Sequence, residues 1–248
     1  VPVWLEAGFW GLVAGGALVV GAAIAWLTKV PARVVAAVMA FGSGVLISTL
    51  AFDLVDEAET TGGLGFTALG LLVGATTYVG ANLWLGRRGA ARRKNSGKAQ
   101  GSETDSPGSG TAIAIGALLD GVPESVVLGT TLLSGGVGIP VLAAIFISNL
   151  PEGLSSSAGM KANGRSARYV FGVWCGIAVA SGLAGLTGAL LLEGAAPETI
   201  AVITSIAGGA ILAMVTDTMI PEAYDTDRVW TGLITTLGFI AAFAISRG

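Results

Sequence analysis

The sequence has no histidine and a single cysteine, Cys175, in 248 residues. Those absences exclude Cys/His zinc sites, Ser-His-Asp triads, Cys-His nucleophiles and a disulfide framework. Charge is scarce too: 12% of residues are charged, against about 25% in an ordinary soluble domain. A net charge of −3 leaves no basic excess to attract nucleic acid, and no Walker-type loop points to a nucleotide. What the chain does have is 53% hydrophobic residues, 39 glycines and a mean hydropathy of +0.78. This is the composition of an all-α integral membrane protein, in which glycine lets transmembrane helices pack closely. Any site chemistry has to come from oxygen.

A helix crosses the hydrocarbon core with about 20 apolar residues. Eight windows meet that length: 4–28, 34–54, 64–85, 111–133, 137–160, 169–192, 199–220 and 229–245. Charge, Gly or Pro separates them, as in Lys29-Val30-Pro31 and Glu193-Gly194-Ala195-Ala196-Pro197. The windows are continuously apolar rather than alternating in short segments, which argues against a β-barrel. The first is too long for a signal-peptide core, and no lipidation signal is visible. The chain opens at Val1 rather than Met, so residues upstream are expected. Residues 87–110, RRGAARRKNSGKAQGSETDSPGSG, have the composition of a flexible linker between spans three and four. All eight spans then form a single transmembrane domain, residues 1–248.

Basic residues orient the chain. With the N-terminus outside and eight crossings, 12 of the 13 Lys and Arg fall on inner loops, from Lys29 and Arg33 through the 87–98 cluster to Lys161, Arg165, Arg168 and Arg228; only Arg247 falls outside. Seven or nine spans would scramble that sorting. Both termini are therefore expected to be extracytoplasmic, in a multi-pass protein of the plasma (inner) membrane.

Four carboxylates fall within the spans: Asp120, Glu124 and Glu152 centrally, and Asp217 nearer an end. Charge at membrane depth is costly and usually lines a site or pathway. Span four reads LLDGVPESVVLG and span five ISNLPEGLSSSAG, so each carries a Pro-Glu pair, Pro123-Glu124 and Pro151-Glu152. Asp120 and Glu124 are four apart and share a helix face, as do Ser148 and Glu152; Asn149 lies three before Glu152. Each proline frees the carbonyl four residues earlier, at Leu119 and Ile147. Two such helices facing each other gather carboxylates, an amide and backbone oxygens, a cluster that calls for a cation or protons. An isolated membrane glutamate can also be simply protonated and hydrogen-bonded.

The paired Asp-Gly-Val-Pro-Glu-Ser and Ser-Asn-Leu-Pro-Glu-Gly resemble the fourth- and fifth-helix signatures of the ZIP (Zrt/Irt-like) divalent-metal transporters. Eight spans, external termini and a long inner loop after span three are similar to that family over essentially the whole chain. Span two, FGSGVLISTLAFDLVDEA, and span seven, AGGAILAMVTDTMIPEA, also resemble its corresponding helices, and each other at an offset of 165 residues. Because span two runs outward and span seven inward, that pairing has the sense of an inverted repeat. The resemblance implies a 3+2+3 architecture with the metal held by the central pair of helices, and a homodimer alongside the lipid bilayer as partners.

Carried over residue by residue, the family's first metal site falls on Asp120, Glu124 and Glu152, with Ser148 one turn before Glu152 and Asp120 in place of the usual histidine. The second site falls on Gly121, Asn149 and Glu152, with a sixth-helix ligand near Gly185; Gly121 and Gly185 have no side chain to offer. The resemblance names Zn²⁺, whereas an oxygen-only site favours harder ions such as Mn²⁺, Fe²⁺ or Mg²⁺. The expected substrate is thus a divalent ion of the zinc, iron or manganese class, and no cofactor beyond it is expected.

Asp53, Asp56, Glu57 and Glu59 end span two on the outer side, where acids concentrate cations; Asp217, Glu222, Asp225 and Asp227 end span seven on the inner side. Asp53 and Asp217, with Ser155 and Ser156 one turn beyond Glu152, are the expected pathway residues. Gly11/Gly15, Gly70/Gly74 and Gly172/Gly176 are expected to permit close helix packing, and Cys175 is expected in the core. The reading is therefore a non-enzymatic metal transporter. A proton-coupled transporter of another solute and a metal-sensing membrane protein are the alternatives; an intramembrane enzyme has no substrate motif to support it.

Overall fold

The computed structural model describes residues 1–102, 108–133 and 139–247. It is 86% helix, with no strand among the described residues. Helix α1 is Val3–Leu27, α2 Ala32–Gly62, α3 Leu64–Ala90, α4 Ser109–Leu133, α6 Ala167–Leu192 and α7 Pro197–Thr226; these six are long and apolar enough to cross a membrane. Between α4 and α6 lies α5, Ile139–Ala162, which is polar along its second half, and the shorter apolar α8, Thr231–Arg247, closes the chain. The start of the fifth expected span, at Val137, and residues 103–107 of the linker lie outside the described residues. By length and composition the chain is an all-helical, multi-pass membrane protein.

The helices pack in a definite pattern. α1 lies along α5 and α6, α2 along α8 and α5, α3 along α7, and α4 against α6, α7 and α1. α5 is the inner helix, its residues 151–157 all buried. Glycines set the closest approaches. A side chain at Gly74 would strike the Ile206 backbone, and one at Gly209 the Leu71 backbone, so α3 and α7 meet through two reciprocal contacts. Gly44 against Thr235 and Gly238 against Phe41 do the same for α2 and α8. Without a solvent-driven attraction between helices in lipid, such backbone approach supplies the packing energy.

Gly11/Gly15 and Gly70/Gly74 meet α6 and α7 within the chain, whereas a side chain at Gly172 or Gly176 would meet nothing. Cys175, on that same open face, is exposed; the expectation of a core cysteine is corrected, because the apolar neighbours that suggested burial belong to a helix side facing outward.

Two helices are interrupted in matching ways. α2 carries a π-helical turn at Leu50–Leu54 and α7 one at Val215–Met219, so 50 and 54 correspond to 215 and 219 at one offset of 165 residues. A third π-turn, Gly86–Ala90, ends α3. Inside it Gly89 has φ +93°, a left-handed conformation that costs glycine little. It turns the chain back toward the bundle.

The polar stretch after that turn is not a linker held clear of the helices. Arg93, Lys94, Gln100 and Ser102 are all buried. Composition alone could not place them, because the apolar surroundings that bury them come from other elements.

Candidate functional site

Asp120 and Glu124 lie on α4 and Glu152 on α5, each just after or one turn before an internal proline. Asp120 and Glu124 are 2% exposed and Glu152 3%. A carboxylate so buried is tolerable only with a charged or hydrogen-bonded partner. The partners come from the segment after α3, where Arg93 and Lys94 are 2% and 1% exposed.

Arg93 meets Asp120 as a fork. Its Nε donates to Asp120 Oδ2 at 3.1 Å and its Nη2 to Oδ1 at 2.8 Å. The planar guanidinium matches both carboxylate oxygens, a geometry lysine lacks. Nη2 also donates to the Tyr78 hydroxyl at 2.7 Å and Nη1 to Asn82 Oδ1 at 2.7 Å, while Tyr78 donates to Asp120 Oδ1 at 2.6 Å. Tyr78 and Asn82 are four apart on α3, so one helix face supplies both. Burial disfavours the Arg93 charge, but Asp120, Tyr78 and Glu152 more than offset it and hold its pKa above the ordinary value.

Lys94 bridges the two helices. Its Nζ donates to Glu152 Oε2 at 2.9 Å and lies 3.3 Å from Asp120 Oδ2. Two cations thus face three carboxylates. Among the described residues, Glu124 has no charged partner in direct contact and its Oε1 has no hydrogen-bond partner. It lines a narrow cleft with Gly121, Ser125, Asn149 and Ser181.

The segment is seated by its own contacts. Ser156 Oγ donates to the Arg93 carbonyl at 2.7 Å, and Ser155 Oγ donates to the Lys94 carbonyl. Gln100 Nε2 donates to the Arg93 carbonyl at 2.6 Å and to the Ser156 carbonyl at 3.1 Å. Asn95 Nδ2 reaches Glu222 Oε2 at 2.8 Å, and Arg92 pairs with Asp225 at 2.9 Å. The Arg93 stem crosses Gly116, where a side chain would lie 2.6 Å from Arg93 Cδ. The backbone of Asn95 crosses Gly159 in the same way.

Against the residues expected from sequence, Asp120 and Glu152 converge on one ammonium, and Glu124 lies on the Asp120 helix face beside Ser148. Ser148 Oγ donates to the Ile145 carbonyl at 2.9 Å, and Asn149 Nδ2 to the Ala14 carbonyl at 3.0 Å. A side chain at Gly121 would face Ser181 Oγ, and one at Gly185 the Ala7 carbonyl. Ser155 and Ser156 hold the inserted segment. Asp217 is exposed and lines a cleft with Arg92, Lys94, Glu222 and Asp225. Asp53 stands apart, accepting from Ser246 Oγ on α8. Among the described residues no three His, Cys, Asp or Glu side chains converge as a metal-ligand group; Lys94 takes up the place between Asp120 and Glu152.

Sequence reasoning missed Tyr78, Asn82, Arg93, Lys94 and Gln100. The signal for the first two is a polar i, i+4 pair within an apolar span. For the cations it is charge balance: three buried acids demand nearby bases, and the 87–98 stretch holds six of the chain's 13.

No protein-family model and no curated protein matches the chain.

Proposed function

We propose that the chain carries a divalent metal ion of the zinc, iron or manganese class across the membrane into the cytoplasm, through an oxygen-only site between α4 and α5. The observation that carries this reading is the convergence of Asp120 and Glu152, from two proline-interrupted helices, on a single cationic group, Lys94 Nζ at 3.3 and 2.9 Å. Anionic oxygens buried at that depth are expensive, and a pathway for cations is the usual reason to keep them. Glu124, one of whose oxygens has no hydrogen-bond partner among the described residues, adds a third carboxyl group within a helical turn of Asp120.

The rest of the ZIP-like reading belongs to the same proposal. Eight crossings place 12 of 13 basic residues inside, with both termini outside the cytoplasm of a plasma (inner) membrane. Two features support a 3+2+3 inverted repeat. The π-turns of α2 and α7 share the 165-residue offset of the sequence likeness. The α2–α8 contact also has its counterpart in α7–α3, as exchange of the two halves requires. Transport would be secondary, driven by the ion gradient and the membrane potential, with no enzymatic step.

Uptake into proteoliposomes of Mn²⁺, Fe²⁺, Zn²⁺, Cd²⁺ and Mg²⁺ by wild type and Glu152→Ala tests the reading. Uptake of at least one transition ion, abolished by the substitution, is expected. No uptake, or uptake that Glu152→Ala leaves intact, would overturn it. A proton-coupled carrier of another solute is favoured by one observation, the internal Lys94–Glu152 pair, and would show flux that follows a pH gradient without metal.

A further inference from the structure

The Lys94 ammonium and a divalent cation have the same electrostatic role between Asp120 and Glu152, and there is room for one of them. We propose that residues 91–102 form a tethered plug whose Lys94 competes with the transported ion for these two carboxylates. The segment must withdraw from its seat for the ion to be held there and released inward. This inference rests on the transport reading above and adds to it a self-contained gate.

Three sets of contacts carry it. First, the occupant is cationic and chemically matched: Lys94 Nζ at 2.9 Å from Glu152 Oε2 and 3.3 Å from Asp120 Oδ2, with Arg93 neutralising the rest of Asp120. Second, the seat is complementary in detail. Ser155 and Ser156 bind the carbonyls of Lys94 and Arg93, Gln100 ties Arg93 to α5, and glycines at 116 and 159 make room for the Arg93 stem and the Asn95 backbone. Third, the plug is built to leave. Arg92–Asp225, its outermost tie, joins two groups about half exposed, where an ion pair contributes little. Asn95–Glu222 is only part-buried, and Asn163 Nδ2 holds the Gly97 carbonyl at a long 3.3 Å. An arriving divalent ion can therefore replace the Arg93 and Lys94 pairings to the carboxylates, and the outer ties of the plug are exposed, part-buried or long.

Withdrawal leaves Asp120, Glu124 and Glu152 with a net charge that favours a divalent ion over a monovalent one. Arg93 leaves with the same segment, so release of the plug and exposure of all three carboxylates are one event. An ion that binds only the unplugged state has its apparent affinity reduced by the fraction of chains that are unplugged.

The test uses Mn²⁺ and Zn²⁺ uptake in proteoliposomes together with a chemical probe of the seat. In a Cys175→Ala background, Ser156→Cys places a thiol beneath the Arg93 carbonyl, where a membrane-impermeant maleimide reaches it only when the plug is out. Mn²⁺ is used for the labelling arm because it binds thiolate poorly. Lys94→Met and, to avoid altering the carboxylates' partner, Gln100→Ala are compared with the parent chain. We expect both variants to label faster, Mn²⁺ to accelerate labelling of the parent, and Lys94→Met to lower the half-saturating Mn²⁺ concentration about tenfold. Uptake of either ion with labelling unchanged by Mn²⁺ and by both variants would overturn the plug while leaving transport standing. No uptake of either ion by any variant would overturn the transport reading and the competition with it.

Discussion

Lys94 Nζ lies 2.9 Å from Glu152 Oε2 although 58 residues separate them in the chain, and both side chains are removed from solvent. One of the two comes from a stretch that by composition belongs in water. Each was brought inside by the other, since neither is tolerable there alone.

Removing one partner of that pair is therefore expected to be worse than removing both. Glu152→Gln leaves Lys94 only Asp120, already held by Arg93, and Lys94→Met leaves Glu152 unpaired. Each single change should destabilise by on the order of 3–5 kcal/mol, and Lys94→Met with Glu152→Gln should recover a large part of it. Thermal unfolding in detergent measures the cycle; additive losses would show that the pair is not coupled.

Arg93→Lys keeps the charge and is expected to fail nonetheless. Lysine reaches one oxygen of Asp120 and abandons Asn82 and Tyr78, which Arg93 holds at 2.7 Å each. A loss of about 2–3 kcal/mol follows from two or three buried, charge-assisted hydrogen bonds. A variant as stable as wild type would mean that charge alone holds the segment.

Glu124 behaves differently because one of its oxygens has no hydrogen-bond partner among the described residues. Glu124→Gln should leave the unfolding temperature unchanged or raise it while abolishing metal uptake. Loss of stability with uptake preserved would assign Glu124 to the scaffold.

Glycine substitutions separate packing from mere composition. Gly44→Ala presses a methyl group onto the Thr235 carbonyl and should cost about 1–3 kcal/mol through forced backbone shifts. Gly172→Ala meets nothing and should be neutral or add up to about 1 kcal/mol of helix stability. Equal effects would detach the reciprocal contacts from stability.

Much of the scaffold was legible because its causes are local. Apolar runs of sufficient length and the breaks at Pro31 and Gly194 require only neighbouring residues to be read. So does the shared face of Asp120 and Glu124. The paired Pro-Glu motifs point to carboxylates on two neighbouring helices, but nothing local in the sequence says that Lys94 stands between Asp120 and Glu152. Cys175 was misread because an apolar helix in lipid looks alike on its buried and exposed sides, so local hydropathy carries no direction.

The amino-acid sequence by itself determined that this is a helical membrane chain with no imidazole to offer, since histidine is absent and apolar length sets the spans. Only the tertiary structure decided which charges meet. Arg93 and Lys94 lie in a polar run with no periodicity, and their burial depends on carboxylates from α4 and α5, on Tyr78 and Asn82 of α3, and on the serines of α5. Electrostatic pairing of this kind acts through space, across 27 residues for Arg93 and Asp120 and 58 for Lys94 and Glu152, and leaves no local mark on the sequence.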